Sequence, residues 1–254
     1  MAIPIIIVDR HFAAASALFN PNGFPERVRG VATVCGDRLS ILAHSVEIVM
    51  REPALDRSRL LQEIRENKAF DGFSPDPDKP AVLVLHNLNF VSGLYSSLIA
   101  AKSFLDLYSR LISGLLVPSS NVFGFNRGTF KGKNVAGGKF LKWLDGSTPR
   151  SFERREELLA VLSRHIDGWA DQAIGYRDAV VHSGGIVGLT EALVPLDKAL
   201  NDLRESDVVL PMMPNGDAVT DYCRLLLRSV RSVASETLPL LPDLDLGLLS
   251  IEAG

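Results

Sequence analysis

The stretch Leu94-Tyr-Ser-Ser-Leu98-Ile-Ala-Ala101-Lys-Ser-Phe-Leu105-Asp-Leu-Tyr108-Ser-Arg-Leu-Ile112-Ser-Gly-Leu115 decides the fold. Its numbered apolar residues advance in alternating steps of four and three, which keeps them on one face of an α-helix. Pro118 supplies the stop. A second run, Leu159, Leu162, Ile166, Trp169, Ala173, Tyr176 and Val180, repeats the pattern. Ser151 and the acids Glu153, Glu156 and Glu157 mark its start, where negative charge suits the positive helix end. Its exit is expected near His182, ahead of Gly184-Gly185. Stripes this long must be buried against other helices, because isolated helices are marginal in water. The expectation is a mainly α protein, a helical bundle built on two long antiparallel helices.

Working outward, residues 37–51 and 55–70 read as shorter helices separated at Pro53. The stretch Asp71-Gly-Phe-Ser-Pro-Asp-Pro-Asp-Lys-Pro80 is dense in turn residues. It divides an N-terminal helical extension, residues 1–77, from the bundle, residues 78–254, with a single continuous domain as the alternative. Downstream, residues 191–204 are expected to form a short helix through Pro195, residues 207–213 an extended piece, and residues 217–236 a final helix. Pairing of residues 207–213 with residues 3–8 would give a minor β element.

With 46% hydrophobic and 22% charged residues in 254, the chain has the composition of a packed globular protein. A net charge of -3 excludes holding nucleic acid by bulk positive charge, so any such role needs a local patch. Residues 118–150 offer one. Arg127, Lys131, Lys133, Lys139, Lys142 and Arg150 stand there against Asp145 alone, interleaved with Phe123, Phe125, Phe130, Phe140 and Trp143. One reading is a loop that grips a phosphate backbone through Arg127, Lys131, Lys133 and Lys139 while its rings stack on bases. The other is a solvated connection whose rings dock onto the bundle.

Cys35 and Cys223 are the only cysteines, which supports neither a disulfide framework nor a thiolate zinc site. No metal or other cofactor is expected. Gly132-Lys133 lacks the flanking residues of a Walker loop, and no G-x-S-x-G elbow is present. His11, His44, His86 and His165 have no ligands at metal spacing and read as surface or satisfied core residues. Residues 2–9 read as structure rather than a signal, and residues 81–117 hold too many polar groups to span a membrane. The location implied is cytoplasmic.

The second long helix closes on Gly175-Tyr-Arg177-Asp178-Ala-Val-Val-His182-Ser-Gly-Gly185. An imidazole can take a proton from a ribose 2′-hydroxyl or return one to a leaving oxygen. A guanidinium can hold two phosphate oxygens as negative charge accumulates on them. The segment resembles the signature of the HEPN superfamily, helical-bundle proteins with an R-x(4 to 6)-H motif and often a polar residue directly after the Arg. Residues 94–117, with Ala101-Lys-Ser-Phe-Leu-Asp106, look like the partner helix, so the resemblance covers residues 78–185 and leaves the first seventy unaccounted for. It implies a metal-independent endoribonuclease, a toxin or defence component, with Arg177 and His182 catalytic and Asp178 orienting Arg177 or a neighbour. It also implies a homodimer, since in ribonucleases of that superfamily two motif copies line one cleft, and RNA and an antitoxin or other protein as partners. Other members serve as non-enzymatic interaction or nucleotide-binding modules, which is the alternative here. Structurally, His182 would then favour the negative helix end, and Arg177 would pair with an acid on a neighbouring helix.

Overall fold

The computed structural model describes residues 17–66, 81–85, 88–117, 124–146, 152–187, 190–194 and 202–249. In chain order these hold α1 (Glu26–Arg51), α2 (Arg57–Glu66), β1 (Ala81–Leu85), α3 (Leu88–Leu116), β2 (Gly128–Phe130), β3 (Lys133–Val135), α4 (Gly138–Gly146) and α5 (Arg155–His165). A π-helical turn, Ile166–Ala170, leads into α6 (Asp171–Ser183), followed by β4 (Thr190–Val194), β5 (Val208–Val209) and α7 (Val219–Thr237). The protein is mainly α, a helical bundle. Its contacts divide into two units, residues 1–44, 96–178 and 226–254 in the first and residues 45–95 and 179–225 in the second.

The deciding stripe is buried at every position, from Leu94 through Leu98, Ala101, Leu105, Tyr108 and Ile112 to Leu115. In the first unit the ring of Phe104 stacks on Tyr108 at 5.3 Å between centroids, and Phe19 meets Phe104 edge-on at 5.7 Å. The Tyr108 hydroxyl donates to Thr237 Oγ1, which in turn donates to the Val233 carbonyl, so a phenol buried in this core is satisfied. Burial pushes both the Tyr108 hydroxyl and the Cys35 thiol up, and Cys35 is inert for that reason.

The second unit is built around a small core of Leu60, Leu61, Ile64, Ala192, Leu203 and Val208. Its sheet runs β1-β4-β5, antiparallel throughout, with Ala81 opposite Val194, Leu85 opposite Thr190 and Ala192 opposite Val208. The buried Thr190 hydroxyl donates to the Ala54 carbonyl at 2.8 Å, tying β4 to the turn between α1 and α2.

Several expectations need correcting. The first helix begins at Glu26, well before residue 37, and residues 191–194 are strand rather than helix, because pairing with β1 outweighs local propensity. The extended piece near residue 208 pairs with β4. Residues 3–8 lie outside the described residues, as do residues 67–80, which contain the expected boundary. Ser151 lies outside them too, and α5 starts at Arg155, with Glu156 and Glu157 in its first turn and Glu153 ahead of it.

Candidate functional site

Arg177 and Asp178 sit on α6, and the Arg177 guanidinium donates to its neighbour's carboxylate, Nη1 to Oδ1, at 2.8 Å. Both side chains are about one-third exposed, while the Arg177 Nε is buried with no hydrogen-bond partner. Adjacent residues on a helix point in different directions, so the contact requires the long arginine to fold back on its own helix. The partner foreseen on a neighbouring helix is therefore absent from the described ion pairs of Arg177, and the acid directly after it takes that place.

His182 stands in the last turn of α6 and is exposed. Among the described residues it makes no hydrogen bond or ion pair. Gly184 ends the helix in the left-handed conformation, φ +83°, with its N–H donating to the Val180 carbonyl at 3.3 Å, as expected of a glycine exit. The negative helix end favours a cation at this position. A spacing of five turns two side chains about 140° apart around a helix axis, so one α6 does not present Arg177 and His182 on a common face.

The basic segment is ordered as a hairpin and a helix over residues 124–146. Lys131 and Gly132, with φ of 46° and 79°, form the two-residue turn joining β2 and β3, in which Phe130 faces Lys133 across the strands. A Cβ on Gly138 would lie 2.0 Å from the Gly128 carbonyl, so only glycine lets α4 approach β2 this closely. Two carboxylates fasten the segment within the first unit. Asp106 Oδ1 accepts the Phe125 N–H at 2.6 Å while holding Lys102 at the same distance. Asp171 Oδ1 accepts the Ala136 N–H at 2.8 Å and the Arg127 guanidinium at 2.9 Å.

This arrangement separates the segment's rings from its charges. Phe125, Phe130 and Phe140 are buried, and Phe140 stacks on Trp143 at 5.8 Å, so these phenylalanines dock as core and present no face to a base. For these three rings the stacking reading is corrected; Trp143 is half-buried, and Phe123 lies outside the described residues. Arg127 is spent on Asp171, whereas Lys131, Lys133, Lys139 and Lys142 are exposed, Lys131 lying 5.3 Å from the Phe130 ring centre.

One polar cluster went unread in the sequence. His165 is buried at the end of α5, its Nδ1 accepting the Trp169 indole N–H at 3.0 Å. The neutral ring then carries its proton on Nε2, 3.4 Å from Glu236 Oε2, and Arg164 also pairs with Glu236. Burial holds the His165 pKa below the usual value against the pull of Glu236, with Arg164 adding to the lowering. The spacing of four between His165 and Trp169 was the available signal, hidden by the apolar stripe around it.

Among the described residues no group of three or more His, Cys, Asp or Glu side chains is placed to hold a metal ion, and no helix is long and apolar enough to cross a membrane. Compared with known proteins, the chain matches no family model, no curated protein and no solved structure.

Proposed function

We propose that the chain is a metal-independent endoribonuclease of the HEPN kind that acts as a homodimer through Arg177 and His182, a toxin or defence component whose activity a protein partner would restrain. The observation that carries this reading is on α6: an exposed imidazole in its last turn with no partner among the described residues, and an arginine one and a half turns earlier whose guanidinium is held by Asp178. In the reaction the 2′-oxygen forms a bond to phosphorus, the bond from phosphorus to the 5′-oxygen breaks, and the products are a cyclic phosphate and a 5′-hydroxyl. His182 takes the 2′-hydroxyl proton or delivers one to the leaving oxygen, and Arg177 balances charge on the non-bridging oxygens. Because the two side chains diverge around one helix, a second copy of α6 supplies the complementary half of each site.

The test is cleavage of an RNA pool in EDTA by wild type, Arg177→Ala, His182→Ala and a re-equilibrated mixture of the two variants, with light scattering for oligomeric state. Each variant alone is expected to be inactive, and the mixture to regain about a quarter of wild-type activity, the share of composite sites restored by random pairing. Inactive wild type, or cleavage equal in all four samples, overturns the reading. The Arg177–Asp178 pair also suits a purely structural ion pair, and a dimeric but inactive wild type would favour the helical interaction module.

A further inference from the structure

We infer that residues 124–146 are a rigid platform for an RNA phosphate backbone, in which Lys133, Lys139 and Lys142 are the contacts and Arg127 is a structural brace. The inference rests on the ribonuclease reading only for the choice of RNA as the polyanion.

The chain as a whole is acidic at -3, yet this segment holds Arg127, Lys131, Lys133, Lys139 and Lys142 against Asp145 alone. A cluster of like charges is disfavoured unless something offsets the repulsion, and among the described residues only Arg127 has an acidic partner. Among the described residues the four lysines form no ion pair, while Arg127 is already held by Asp171 and by the carbonyls of Asn134 and Asp171. Lys139 and Lys142 lie three apart on the exposed side of α4. The stem of Lys139 runs against β2, so close that a Cβ on Gly128 would sit 2.6 Å from its Cγ. Lys133 opens β3 across from Phe130, and Lys131 occupies the turn between them.

Rigidity is what turns these charges into a surface. Both strands, the turn and α4 are fixed by Asp106, Asp171 and the Gly128–Gly138 contact, so little ordering entropy is lost when a polyanion settles on them. With Phe125, Phe130 and Phe140 buried and one face of the half-buried Trp143 stacked on Phe140, the groups this segment exposes most are its lysines, whose phosphate contacts carry no sequence information. The platform therefore takes RNA by its backbone.

The experiment measures binding of the full-length protein to 2′-O-methyl homopolymer RNA across a salt series in EDTA. Such RNA keeps the phosphates and lacks the attacking hydroxyl. Wild type is expected to bind the U, A and C homopolymers alike. Lys133→Gln/Lys139→Gln/Lys142→Gln is expected to lower the slope of log K against log salt by about 2, and affinity by about a hundredfold at 0.1 M salt. The matching triple Lys→Arg variant should restore both, and equal melting curves show that the charge changes leave the fold intact. An unchanged slope in the Gln variant, strong preference for one base, or binding to phosphatidylserine vesicles with none to RNA overturns the platform. Cleavage by wild type with an unchanged slope in the variant would sink the platform alone. Salt-sensitive binding lost in the variant, without cleavage of ordinary RNA, would sink the ribonuclease reading alone.

Discussion

His165 and His182 lie on the same helical run and live under opposite conditions. The first is buried, with one nitrogen accepting from Trp169 and the other facing Glu236. The second is exposed, and its helix ends at the very next residue. A buried histidine with one nitrogen bonded to Trp169 and the other shut in beside Glu236, without a hydrogen bond of its own, is closed to a ligand from solvent. A histidine left open contributes little to folding and keeps its chemistry available. On the proposed ribonuclease reading, structure belongs to one end of the run and function to the other, and each substitution there should fall on one side.

The largest expected effect is catalytic. His182→Ala should lower RNA cleavage by about 10²–10⁴, the usual contribution of a general acid or base, while its unfolding free energy stays within about 0.5 kcal/mol of wild type, as for an exposed site. A fall in stability that accounts for the lost activity would break the contrast. Trp169→Ala is the mirror experiment. It empties a buried ring site and strips His165 of its donor, so denaturation should show a loss of about 3–5 kcal/mol, with cleavage persisting below the new melting temperature. Near-normal stability would mean that this cluster is not structural.

The helical layout was legible because burial repeats with the helix. All seven stripe positions from Leu94 to Leu115 are buried, and α7 runs within a few residues of its expected span. The early part of α1 was missed because Gly30, Val31, Thr33 and Gly36 are poor helix formers, and there tertiary packing decides. The π-turn at residues 166–170 left no trace, since Leu162, Ile166, Trp169 and Ala173 keep the ordinary spacing across it. The hairpin was hidden because Lys-Gly is not the usual Asn-Gly signal, and the carboxylates that anchor it, Asp106 and Asp171, come from distant helices. Arg177 and His182 could be read as a pair of residue types; the Asp178 clasp on Arg177 comes from a folded-back rotamer that spacing does not encode.

A middle-sized effect sharpens the comparison on the basic segment. Asp171→Ala removes the acceptor of the Ala136 N–H and the partner of Arg127 together, and should cost about 1–2 kcal/mol in thermal unfolding, most of it from the stranded N–H because the ion pair is half exposed. Asp171→Asn keeps an acceptor and should lose less. Equal losses in the two variants would show that the ion pair, and not the backbone anchor, holds the hairpin down.

The smallest expected effect is the pH dependence of His165. Its pKa is lowered in the folded state, first by burial and also by Arg164, with Glu236 opposing. The folded chain therefore binds fewer protons here than the unfolded chain, and stability rises with pH through this group. Its contribution is complete above the ordinary histidine pKa of about 6.5 and is lost as the pH falls toward the lowered folded value. Geometry explains the direction, because a proton on Nδ1 would confront the Trp169 N–H that already points there. Urea denaturation at about pH 7.5 and about pH 5.5 should show wild type losing more stability between the two than His165→Gln does, since glutamine does not titrate in that window. A variant that loses as much as wild type would place the acid sensitivity elsewhere in the fold and remove His165 from the structural side of the contrast.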